Sequence, residues 1–117
     1  MIDLDLIEVK DGLLVSSPDK ILMKARCPEL FPENLQAYFN DKNKINCNKI
    51  DFGLEKVTVR DEDKRAVFNT DYFDYLKTLG KIEYYLSNVK LPYEDGDYYP
   101  LLAKYKYGWV MVSPLEA

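Results

Sequence analysis

Apolar and polar residues alternate along most of this chain, in short runs separated by turn residues. From Asp3 to Val9 the alternation puts Leu4 and Leu6 on one face, with Ile2 ahead of them. That is the period-2 signature of a half-buried strand. Lys10-Asp11-Gly12 reads as a hairpin turn, because glycine takes positive φ cheaply, and Leu13-Leu14-Val15 returns. Ser17-Pro18-Asp19 turns the chain again, ahead of a third short strand from Ile21 to Ala25. Further strands are expected at Ile45 to Phe52, Glu55 to Arg60, Arg65 to Phe68 and Lys81 to Leu86. Tyr99 to Tyr107 and Trp109 to Val112 complete the set, broken at Gly108, with Pro114 stopping the last one.

Two segments change to a helical period. In Pro32 to Asn40, Leu35, Tyr38 and Phe39 share a face at i, i+3, i+4, and Pro32 suits a first helical turn. In Thr70 to Leu79, Tyr72, Phe73, Leu76 and Leu79 line one side. Asn69 is the expected N-cap, Asp71 favours the dipole, and Gly80 is the expected C′ residue. Hairpin-length connections argue against long parallel crossovers. The pattern predicts one α+β domain over residues 1–117, a mostly antiparallel sheet of about seven to nine strands with two short helices.

Composition narrows the function. The chain has 117 residues, 47% of them apolar, enough for a core and for one domain. No apolar run approaches the roughly 20 residues a membrane helix needs. Acids at Asp3 and Asp5 stand where a signal peptide carries lysines, so a cytoplasmic protein is expected. There is no histidine, which removes the side chain most used for acid–base and metal chemistry near neutral pH. Cys27 and Cys47 have neither CxxC spacing nor a histidine to complete a zinc site, and read as small apolar side chains. Net charge is −4. The sixteen basic residues are scattered along the chain, which points away from direct nucleic-acid contact.

Catalytic candidates are few. Glu8-Val9-Lys10, with Asp3 and Asp5 upstream, resembles a nuclease E-x-K triplet that holds a divalent cation. The spaced proline–aspartate strand and helical carboxylate that complete such sites are missing, and charges alternating on a strand ordinarily form its wet face. Glu94-Asp95-Gly96-Asp97 lacks the spacing of an EF-hand. No glycine-rich phosphate loop is present. No enzyme, cofactor or metal is therefore expected.

The acidic loop favours binding instead. In Tyr93-Glu94-Asp95-Gly96-Asp97-Tyr98-Tyr99, three tyrosines flank three carboxylates with no basic residue between them. Tyrosine supplies rigid amphipathic contact area, and charge complementarity speeds association with a basic partner. The plainer alternative is a solvated turn whose tyrosines lean on the sheet. Glu29, Glu33 and Tyr38 form a second candidate patch.

Two stretches carry resemblances. Val67-Phe68-Asn69, the Tyr72-Phe73-Asp74-Tyr75-Leu76-Lys77-Thr78-Leu79 helix, Lys81 to Leu86 and Trp109-Val110-Met111-Val112-Ser113-Pro114 resemble the last part of a DNA sliding-clamp domain. Lys10 to Ala25 looks like the early hairpin of such a domain. The resemblance implies a domain that self-associates around DNA as a processivity factor, in a ring built from six such domains. Pro28-Glu29-Leu30-Phe31-Pro32-Glu33-Asn34-Leu35-Gln36-Ala37-Tyr38 resembles the inhibitory helix of the barstar family. That resemblance implies an acidic segment that covers a ribonuclease site. The leading expectation is a non-catalytic inhibitor or immunity-type protein, a monomer or dimer. Tyr93, Glu94, Asp95, Asp97, Tyr98, Tyr99, Glu29, Glu33 and Tyr38 would face a basic site on a nucleic-acid-handling enzyme.

Overall fold

The amino-terminal alternation produces a three-stranded meander. A computed structural model describes residues 4–16, 21–47, 49–61, 64–92 and 96–115. In it β1 (Leu6–Lys10) pairs with β2 (Leu13–Ser16), and β2 with β3 (Leu22–Ala25), all antiparallel. Gly12 makes the first turn at φ +82°, and its N–H donates to the Glu8 carboxylate at 3.1 Å. The E-x-K glutamate therefore caps its own hairpin.

From β3 the chain crosses one face of this sheet through short helical turns. These are a 3-10 turn at Pro28–Leu30, α1 (Glu33–Gln36), and 3-10 turns at Ala37–Phe39 and Asp41–Asn43. The expected nine-residue helix is thus a single α turn prolonged by a 3-10 turn. Pro32 sits at its N-cap with extended ψ of 141°, outside the helix proper. A proline has no N–H to lose at that boundary.

The run from Ile45 to Phe52, expected as one strand, is two. β4 (Lys44–Asn46) joins the large sheet, and β5 (Lys49–Phe52) starts a second sheet with β6 (Lys56–Arg60) and β7 (Arg65–Asn69). The cause is partner supply. The Cys47 N–H still donates to the Tyr84 carbonyl at 2.9 Å, after which β5 takes its hydrogen bonds from β6. Nothing in the alternation marks a change of sheet.

α2 (Thr70–Lys77) follows, with the Asn69 side chain accepting the Asp71 N–H at 2.9 Å. The helix ends two residues short of the expected Leu79, with Thr78 as its C-cap, and Gly80, the expected C′ residue, takes φ +95° beyond it. β8 (Glu83–Ser87), β9 (Leu101–Tyr105) and β10 (Gly108–Val112) complete the chain. The turn between β9 and β10 is Lys106-Tyr107, and Gly108 opens the last strand instead of breaking it.

The larger sheet has the order β1-β2-β3-β10-β9-β8-β4. The final strand thus inserts between the amino-terminal meander and the later strands and joins them. The ten strands and two short helices among the described residues make an α+β fold. Two cores lie on opposite faces of the large sheet. One packs Leu22, Leu86, Leu101, Val110 and Val112 against Val57, Val59 and Phe68 of the small sheet and Phe73 and Leu76 of α2. The other packs Leu13, Val15, Leu102 and Met111 against Phe31, Tyr38 and Phe39 of the helical crossing. Each fully buried Leu, Val, Phe or Met contributes roughly 1.5–3 kcal/mol. The Cα radius of gyration is 13.1 Å, that of a compactly packed chain of this length. No helix among the described residues is long and apolar enough to cross a membrane.

Candidate functional site

The loop between β8 and β9 is pinned from beneath. The Val89 N–H donates to Ser87 Oγ at 3.0 Å, and the Leu91 N–H to the Tyr98 carbonyl at 2.6 Å. Leu91 is buried, and Tyr98 packs beside it on the second core. Lys64 lies over the Tyr99 ring, its Nζ 5.3 Å from the centroid. Tyr98 and Tyr99 are both half-buried, so each offers only part of its ring to a partner. Asp97 is exposed and pairs with Lys90 at 3.2 Å. An open pair of this kind is worth at most about 1 kcal/mol, so a stronger cation can displace it. Tyr93, Glu94 and Asp95 lie outside the described residues.

The second patch stands on the crossing. Gln36 Nε2 donates to the carbonyls of Glu29 and Phe31, at 3.1 and 3.0 Å, and fixes the turn between them. Phe31 and Phe39 point inward with ring centroids 4.7 Å apart, and Phe39 meets Trp109 edge-on at 5.5 Å. With those rings buried, Glu29 and Glu33 are left exposed.

Tyr38, expected as a contact residue, is only 6% exposed. Its helical position turns the ring into the core beside Phe39, and its hydroxyl donates to the Lys90 carbonyl at 3.0 Å. Tyr38 is therefore an anchor and not a contact. That bond ties the crossing to the acidic loop, 52 residues further on. Both segments pack on the same core and cover the same face of the large sheet.

Elsewhere, Cys47 is buried and Cys27 half-buried, and both are free thiols. Burial pushes the Cys47 thiol up to about 11, and the charge of Asp61 adds to the effect. Burial also raises the Tyr84 hydroxyl above its ordinary range. Among the described residues, no three His, Cys, Asp or Glu side chains come together as a metal site.

The tertiary structure also gathers charge that is dispersed in the sequence. Lys81, Lys104 and Lys106 line one groove at the far end of β9 from the acidic loop. The alternation Lys104-Tyr105-Lys106-Tyr107 was the available signal. It reads equally well as an ordinary strand, and Lys81 comes beside it only through the fold. Compared with known proteins, the chain matches no family model, no curated protein and no solved structure.

Proposed function

We propose that this chain is a non-catalytic, cytoplasmic binding protein of inhibitor or immunity type. Its acidic, tyrosine-bearing surface covers a basic site on a nucleic-acid-handling enzyme. The observation that carries the reading is the Tyr38–Lys90 hydrogen bond on a shared core. It joins two acidic segments, picked out separately in the sequence, on one face. Exposed Glu29, Glu33 and Asp97 supply charge that raises the association rate. The partly exposed rings of Tyr98 and Tyr99 supply apolar contact that slows release.

The test compares the native protein with a Glu29→Lys/Glu33→Lys/Asp97→Lys variant as bait on a column. The expected capture is a nucleic-acid-processing enzyme that the native protein inhibits stoichiometrically and the variant does not. Salt should weaken the native complex more than any residual variant complex. Equal capture and inhibition by a folded variant would remove this face from the function.

A further inference from the structure

We infer that the β9–β10 hairpin is a binding site for single-stranded nucleic acid. This goes beyond the inhibitor reading and departs from the expectation, drawn from charge along the whole chain, of no direct nucleic-acid contact. Lys104 is the exposed residue of β9, and Lys106 and Tyr107 form the turn that follows Tyr105. Lys81, just beyond α2, reaches the same groove of about 560 Å³, with Tyr105 in its wall. The acid lining it is Glu83, which pairs with Lys104 in the sheet register. Three cations against one carboxylate make the lining of this groove basic, although the chain carries −4 overall.

Aromatic rings interleave with these cations. Tyr107 is 70% exposed, far more than a tyrosine needs for packing. Tyr105 supports it edge-on, with ring centroids 6.4 Å apart at 74°. Lys106 Nζ lies 5.3 Å from the Tyr107 centroid, and Lys104 Nζ lies 5.7 Å from that of Trp109. A basic groove that tracks phosphates beside an aromatic ring that stacks bases is the chemistry of sequence-tolerant single-strand binding. A duplex keeps its bases stacked on one another and offers none to Tyr107. An acidic peptide would engage the lysines and leave that ring unused.

The test is fluorescence anisotropy of a fluorescein-labelled oligothymidylate titrated with the whole protein. Emission from Trp109, the single tryptophan, gives an independent readout. Saturable binding at low ionic strength is expected. Three phosphate contacts should give a log–log salt slope of about −2. Tyr107→Ala, at an exposed turn position, should weaken binding about tenfold without changing that slope. Lys104→Gln/Lys106→Gln, which removes two of the three cations without setting a carboxylate opposite Glu83, should weaken binding at least tenfold and bring the salt slope towards about −0.7. No binding at low salt would overturn the proposal, as would a Kd indifferent to both variants. If polyglutamate or a DNA duplex competes as well as the oligothymidylate and Tyr107→Ala is silent, the site is a plain charge patch and the proposal also fails.

Discussion

Phe73 is fully buried where three aromatic rings converge. Phe52, Phe68 and Tyr84 lie 5.8, 5.9 and 5.6 Å from its centroid. Removing that ring opens a cavity between α2 and both sheets that few neighbours can fill. Phe73→Ala should cost about 3–5 kcal/mol in urea unfolding. Cys47 makes a second prediction at this scale. Its thiol stays protonated up to about 11 in the folded chain, whereas the unfolded thiol releases its proton near 9.0. The folded state therefore holds the proton more tightly. The resulting stability is complete below pH 9.0 and is lost as pH rises towards about 11. The stability difference between the native protein and Cys47→Ala should narrow across that window and stay constant below it. At neutral pH a thiol reagent should label Cys27 and reach Cys47 only after denaturation.

Among the elements, β10 joins the amino-terminal meander to the rest of the larger sheet. Val110, Met111 and Val112 are all buried, and the strand feeds both cores while pairing with β3 and β9. Its entry depends on Gly108. A Cβ there would fall on the Ala25 carbonyl oxygen and the Arg26 Cα, both backbone atoms that cannot rotate away. Gly108→Ala should therefore cost about 1–3 kcal/mol, towards the upper end, because strand and neighbour must separate. The cap of α2 is a smaller contribution. Asn69→Ala frees the Asp71 N–H and should cost about 1 kcal/mol, read from thermal or urea melts.

At the scale of the molecule, charge is distributed along β9, with the acidic loop at its start and the lysine hairpin at its end. The outer edges of the large sheet are poor templates for another copy. β1 carries a register break between Glu8 and Lys10 and ends in a lysine, and β4 is only three residues long. Bulges, charges and short strands at an edge all oppose pairing between molecules. Light scattering after size exclusion should give the 13.7 kDa monomer or a dimer. A six-domain particle would instead favour the sliding-clamp reading.

Much of the fold was legible along the chain, because local chemistry fixes local structure. Alternation located most strands, Gly12 the first turn, and Asn69 the start of α2. The same patterns marked Glu29, Glu33, Asp97, Tyr98 and Tyr99 as surface candidates by residue type alone. Strand partners are chosen across long sequence separations, and no periodicity encodes them. That is why Ile45 to Phe52 divides between two sheets and why β10 lies at the centre of the larger one. Tyr38 is the plainest case. Its sequence context offers both a surface and a core reading, and its burial with a hydroxyl on Lys90 depends on a loop 52 residues away. The groove of Lys81, Lys104 and Lys106 has the same origin. Like charges repel and do not nucleate structure, so only the packing of α2 and β8 beside β9 brings these lysines together.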